Sequence, residues 1–194
     1  MMNLKIKKIL DLDVWNKVLE SSPQGTIFMH SDFLKLFEIK INYYGLYKNK
    51  TIYIALPVIN AIKYNSKFLP FCYYQGPFFN NEVLRGKNSK SIYYEVEYIN
   101  KFITELTSIE KKFHFCLNPY FQDVRGYDWV NYDSQNRRCN ISPRYTAIID
   151  LKNLSVSKLT KYFSSSRRQE ISYAIDREDL SFVDKVDANN LLKN

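Results

Sequence analysis

The run Ile52 to Ile59 (Ile-Tyr-Ile-Ala-Leu-Pro-Val-Ile) is almost wholly apolar. A strand with one wet face alternates apolar and polar residues; a run without that alternation is expected where both faces are covered. A sheet containing it therefore needs layers on both sides. Pro57 removes one backbone donor from the strand, which predicts a bulge or an edge position there.

The flanking patterns supply the remaining elements. Leu4 to Ile9 alternates as a first strand. Asp13 is positioned to cap a helix carrying Trp15, Val18 and Leu19, which ends before the turn Ser22-Pro23-Gln24-Gly25. Ser31 or Asp32 starts a short helix with Phe33, Leu34 and Phe37 on one side. Asn42 to Tyr47 and Thr51 to Ala61 form a hairpin through Lys48-Asn49-Lys50, and Lys67 to Cys72 reads as a further strand. The clearest helix is Ser89 to Ser108, where Ile92, Val96, Ile99, Ile103 and Leu106 make one apolar stripe. Lys112 to Leu117 reads as a strand with Phe113, Phe115 and Leu117 on one face. A polar and aromatic loop follows to about Ser142. Then come a strand from Arg144 to Leu151, short helices at Ser157 to Phe163 and Ser166 to Arg177, and an extended segment from Ser181 to Val186. Asp187 caps a last helix of which only Ala188 to Asn194 is present, too little to be stable alone. The pattern thus gives one body over residues 1–186 and, at 187–194, the start of a helix cut in mid-element. The fold class is α/β in the α+β sense: a mixed, largely antiparallel sheet flanked by helices.

The formal charge of +8 is concentrated. Between Ser134 and Arg168 the chain holds Arg137, Arg138, Arg144, Lys152, Lys158, Lys161, Arg167 and Arg168 against the single acid Asp150. Such a stretch favours an anionic partner, or is a solvated face whose acids come from elsewhere. The three cysteines are widely spaced and include no Cys-x-x-Cys, as expected of a reducing, cytoplasmic setting. The N-terminus lacks the apolar core of a signal peptide, and no run approaches the length of a membrane span.

Catalytic constellations are scarce. His30 and His114 lack metal-ligand spacing, so no metal site is expected, and a triad through either is disfavoured. With five glycines there is no Walker loop, no Gly-x-Gly-x-x-Gly and no Gly-x-Ser-x-Gly elbow. Ser166-Arg167-Arg168-Gln169 matches a capping box, yet it places two arginines at the positive end of a helix dipole. Either Glu170 neutralises Arg167 locally or an anion docks there. Tyr73-Tyr74-Gln75-Gly76-Pro77 can line a cleft or simply turn beside a core. Asp123-Val124-Arg125 reads as a pair that orders a loop.

Taken in order, several pieces resemble the Fem-type branch of the GNAT acyltransferases. They are Gly25-Thr26-Ile27-Phe28 before a helix, Tyr74-Gln75-Gly76-Pro77, Asp123-x-Arg125 before Trp129, Arg144-Tyr145-Thr146 with Asp150-Leu151, and Ser166-Arg167-Arg168 with Glu170-Ile171 and Ala174. The resemblance runs from about Leu4 to Val186 and covers the first of two GNAT-like halves. The second half's acyl-CoA loop, Gln/Arg-x-x-Gly-x-Gly/Ala, is absent, so this chain alone is not expected to be an active N-acyltransferase.

The resemblance implies direct attack of an acceptor amine on a thioester or aminoacyl ester, without a covalent enzyme intermediate. The donor in the complete protein is acyl-CoA or aminoacyl-tRNA, and none is expected to be tightly bound here. This half forms the acceptor-side wall for an amine-bearing small molecule or a cell-wall or surface-glycan precursor. Tyr74, Gln75, Arg144 and Tyr145 are the implied acceptor contacts, Arg167 and Arg168 hold a phosphate-bearing ligand, and the catalytic group is unassigned. Two rival readings stand beside it. One is a basic nucleic-acid-binding module with tyrosine platforms; the other is an inactive truncated fragment that self-associates.

Overall fold

The computed structural model describes residues 4–64, 66–70, 72–81, 89–121, 123–148, 152 and 154–177. The chain divides into two units, Met1–Arg144 and Tyr145–Asn194.

In the first unit four strands pair in sequence order: β1 (Leu4–Lys8), β2 (Ile41–Lys48), β3 (Thr51–Ile59) and β4 (Phe78–Phe79). Every pairing is antiparallel, so the sheet formed by the described residues is antiparallel throughout rather than mixed. The β2–β3 hairpin turns at Asn49, which takes the left-handed conformation (φ 57°) that asparagine tolerates better than most residues.

The apolar run of β3 is covered on both faces, and a register slip sets which face Ile52 takes. Leu46 faces Ile54 but Tyr47 faces Ile52, which leaves Tyr53 without an opposite number. An extra residue reverses which face the following side chains occupy. Ile52 consequently packs with Ala55 and Phe78 against Trp15, Leu19 and Met29 on one face. Ile54 and Leu56 pack with Leu46 and Phe79 against Ile99, Phe102 and Ile103 on the other. Pro57 lies opposite Tyr43, beyond the two β3 residues that β4 reaches, and so occupies the edge position its missing donor requires.

Helix α1 (Leu12–Ser21) buries Trp15 and Leu19, and Trp15 Nε1 donates to the Met29 carbonyl at 2.9 Å. Its cap is Asp11, not Asp13: Asp11 Oδ1 accepts from the backbone N–H of Asp13 and Val14. Asp13 instead sits in the first turn, where its charge complements the dipole. Helix α2 (Ser31–Lys35) is capped by His30, whose Nδ1 accepts from Asp32 N–H at 3.3 Å. Phe37 lies past its end yet joins Phe28, Phe33 and Tyr64 around Leu34, Leu69 and Cys72.

Helix α3 (Ser89–Ile109) covers the second face of the sheet. Val96, Ile99, Ile103 and Leu106 are buried as the periodicity predicts, with Tyr98 and Phe102 beside them. Ile92, the first member of the stripe, is instead 44% exposed. The last turn is tied to the sheet by Glu110 Oε1, which accepts from Asn42 Nδ2 at 2.9 Å and from the Tyr44 hydroxyl at 2.6 Å.

Two expected strands do not form. Phe113, Phe115 and Leu117 do pack together on the core, but residues 112–117 join no ladder. Of Lys67 to Cys72, Leu69 and Cys72 are buried through a local turn in which Cys72 N–H meets the Leu69 carbonyl at 3.3 Å. An apolar pattern reports contact with the core, and here Leu69, Cys72, Phe113, Phe115 and Leu117 make it without a partner strand among the described residues. Residues 144–148, expected in a strand, are exposed and irregular; Asp150 and Leu151 fall outside the described residues.

In the second unit, α5 (Val156–Lys161) is capped by Ser155 and α6 (Ser165–Ile175) by Ser164, whose hydroxyl accepts from Arg167 N–H. The cap is two residues earlier than the Ser166 box, so Arg167 rather than Gln169 occupies its third position. The extended segment from Ser181 and the helix from Asp187 lie outside the described residues.

Candidate functional site

A short helix, α4 (Arg125–Asp128), sits directly on α3 because Gly126 has no side chain. A Cβ there would lie 2.8 Å from two side-chain carbons of Ile99 and 2.9 Å from the Val96 carbonyl. Beside this contact runs a groove of about 640 Å³, within the range of small-molecule sites. Its apolar walls are Ile92, Tyr93 and Val96 from α3 and Trp129 from the end of α4. Ile92, Tyr93 and Trp129 all remain exposed to solvent. Glu97, Asn100, Lys101 and Arg125 supply its polar atoms.

The two cations in the groove are already matched. The Asp123 carboxylate accepts from Arg125 Nε at 2.9 Å, from its terminal nitrogen at 2.5 Å and from its backbone N–H at 2.9 Å. This grip, chiefly the side-chain hydrogen bond, holds the Asp123 carboxyl below its usual range, and the guanidinium lies 5.8 Å over the Trp129 ring. Lys101 pairs with Glu105 one turn on, at 2.9 Å. Glu97 is exposed and has no ion-pair partner among the described residues. Nearby, burial and then the Asp123 charge push the Glu95 carboxyl up. Of the groove's own charged side chains, Lys101 and Arg125 are thus each neutralised by a carboxylate, which leaves Glu97 as the unmatched charge among the described residues. On α4 the Tyr127 hydroxyl is buried without a hydrogen-bond partner among the described residues, its phenol pushed well up by burial and secondarily by Glu95.

The residues singled out from sequence fall elsewhere. Gln75 is buried, and its side-chain nitrogen donates to the Phe28 carbonyl at 2.9 Å. Tyr74 is half-buried in the left-handed conformation (φ 58°) before Gly76, where a Cβ would come within 2.8 Å of the Cys116 carbonyl. These residues form a tight turn packed on neighbouring backbone. Arg144 lies 5.4 Å over the Phe68 ring, and Tyr145, in the second unit, is 97% exposed. Arg167 pairs with Glu170 at 2.6 Å, the local neutralisation that the spacing allowed. Arg168 donates to the Phe163 carbonyl at 2.7 Å.

Sequence reasoning reached the groove only through Asp123-x-Arg125 and Trp129, taken as a loop-ordering pair, which it is. The missed signal is on α3: Tyr93, Glu97 and Asn100 or Lys101 recur at helical spacing beside the apolar stripe. Among the described residues no helix is long and apolar enough to cross a membrane, and no group of acidic, histidine or cysteine side chains is placed to hold a metal ion. Comparison with family models, with curated proteins and with solved structures returns no match to this chain.

Proposed function

We propose that the chain is the acceptor-side part of a GNAT-type acyl- or aminoacyl-transferase, and that an amine-bearing acceptor lies in the α3–α4 groove. The observation that carries this reading is the groove's make-up: the exposed rings of Tyr93 and Trp129 beside Glu97, which has no ion-pair partner among the described residues, while Lys101 and Arg125 are each matched by a carboxylate. An ammonium group is attracted both to aromatic faces and to an unmatched carboxylate. Two further features support the reading. The α+β class, with helices on both faces of the sheet, is compatible with it. Two of the motif residues, Arg125 and Trp129, line the groove itself.

The chemistry asked of the chain is modest. A thioester or aminoacyl ester is already activated, so holding the amine within reach in a fixed orientation supplies much of the acceleration. Glu97 accepts from the incoming ammonium, the rings cover its alkyl stem, and the Asp123 clamp fixes Arg125 against Trp129. The ammonium gives one proton to solvent, its freed lone pair attacks the acyl carbonyl, and the donor's thiol or hydroxyl leaves with the amine's second proton. The donor, acyl-CoA or aminoacyl-tRNA, contributes the acyl group and is held outside this groove.

Trp129 fluorescence tests the reading, because the other tryptophan, Trp15, is fully buried. Titration with a short lysine-ended peptide should change the exposed tryptophan's emission, and the same peptide acetylated on the lysine should not. Glu97→Gln should weaken binding about five- to tenfold, the loss of one charge-assisted hydrogen bond. Equal binding of the amine and its acetylated form would remove the basis for the proposal.

A further inference from the structure

A second cluster in the first unit has the opposite charge. The chain after β3 brings Phe68 edge-to-face with His114, ring centroids 6.2 Å apart. Arg144 lies over the same Phe68 ring at 5.4 Å. Burial first, and then the charges of Lys67 and Lys112, disfavour the charged form of His114. Lys67, Lys112 and Arg144 are exposed, and none of them has an ion-pair partner among the described residues. Nor does the Arg144 guanidinium donate to any described acceptor, whereas Arg137, Arg138, Arg167 and Arg168 each donate to a backbone carbonyl or a carboxylate.

His114 adds an independent mark. Its Nε2 is buried and has no hydrogen-bond partner among the described residues. A buried polar nitrogen left unpaired is costly, and such a group calls for an explanation. Arg144 and the imidazole thus meet at the Phe68 ring, with Lys67 next to Phe68 in the chain and Lys112 two residues before His114.

The geometry points to an anion site, and we propose that Lys67, Lys112 and Arg144, arranged about Phe68 and His114, take the phosphate or diphosphate group of a small ligand. Three unmatched cations suit the concentrated charge of a diphosphate. A non-specific nucleic-acid surface needs a longer basic track with successive stacking platforms, and here one cation, Arg144, lies over one ring, Phe68. The site is independent of the α3–α4 groove and does not rest on the transferase reading.

The chain's two histidines make the experiment selective. His30 lies 3.6 Å from Glu20 and 3.8 Å from Asp32, in an acidic setting that serves as the internal reference. Pyrophosphate is titrated into the full chain at constant ionic strength while the imidazole proton resonances are followed by NMR. His114 should shift saturably, with its pKa moving up as the phosphate offsets Lys67 and Lys112, and His30 should stay in place. The triple variant Lys67→Gln, Lys112→Gln, Arg144→Gln should bind at least about tenfold more weakly, with its unfolding midpoint unchanged. An unmoved His114, equal shifts of both histidines, or undiminished binding by the triple variant would each overturn the proposal. So would a single-stranded oligonucleotide that binds with a steep salt dependence while pyrophosphate leaves His114 unmoved; that result assigns the cluster to nucleic acid.

Discussion

Tyr127 shows how a single side chain can be held by its neighbours against its own preference. Its ring packs with Ile99, Phe115 and Phe121, while its hydroxyl is stripped of water and given no described partner. Removing an unpaired buried hydroxyl costs nothing in hydrogen bonding, so Tyr127→Phe should leave stability unchanged or raise it by up to about 1 kcal/mol. Tyr127→Ala, which empties the site, should cost about 3–5 kcal/mol. Urea denaturation of both variants checks the pair, and a clear loss of stability in Tyr127→Phe would mean that the hydroxyl has a partner. Side-chain identity was readable in the sequence at this scale; side-chain engagement was not. Asp11 and Asp13 are both good capping residues, as are Ser164 and Ser166, and which one caps depends on where the first turn closes. Gln75 likewise looked available for a ligand, but polarity alone does not reveal that a backbone carbonyl, that of Phe28, already holds its nitrogen.

Helix α3 was the most legible element because its pattern repeats over many turns and its partner is a whole sheet face. What periodicity could not convey is how its last turn is fastened. Glu110 reaches across to Asn42 and Tyr44 on β2, and Glu105 Oε2 accepts from the Ile6 N–H on β1 at 3.3 Å. The Tyr44 phenol is pushed up to about 12, first by burial and then by its bond to Glu110. Glu110→Ala should therefore lower the Tyr44 pKa while leaving it above the ordinary tyrosine value, since the burial cause stays. It should also destabilise the fold by about 1–3 kcal/mol through two lost hydrogen bonds to a charged acceptor. Ultraviolet titration of the phenol and chemical denaturation read the two effects separately. A Tyr44 pKa indifferent to the substitution would show that the carboxylate does not hold the ring. The segments 67–72 and 112–117 teach the complementary lesson. Their apolar residues do reach the core, yet strand formation needs a free edge to pair with, and that is a property of the sheet rather than of the segment.

For the molecule as a whole, the class of fold followed from one fact, that β3 is apolar on both faces; the register slip at Tyr53 sets only which face Ile52 takes. The α3–α4 groove was much less legible, because it is a space between two helices and depends on Gly126 letting them touch. Which charges around a site are matched also emerges only in three dimensions: a groove whose unmatched charge is a carboxylate and a basic cluster coexist in one chain of formal charge +8. That balance sets the response to acid. Burial, reinforced by Lys67 and Lys112, lowers the His114 pKa from the ordinary 6.5. Between the lowered native value and 6.5 the unfolded chain therefore binds a proton that the folded chain refuses. Stability consequently rises with pH through this window, is fully present above about 6.5, and falls as the solution is acidified below it. Glu95 acts in the opposite sense, because its raised native pKa favours the fold at low pH and the advantage is lost as pH climbs through that value. General charge repulsion in a cationic chain also grows on acidification, so the total slope mixes several groups. The difference between the wild type and His114→Phe isolates the imidazole. Thermal midpoints measured from pH 7.5 down to about 5 should fall more steeply for the wild type, with the two curves converging in shape above 6.5. Parallel curves throughout would mean that His114 takes up its proton as easily in the folded state as in the unfolded one.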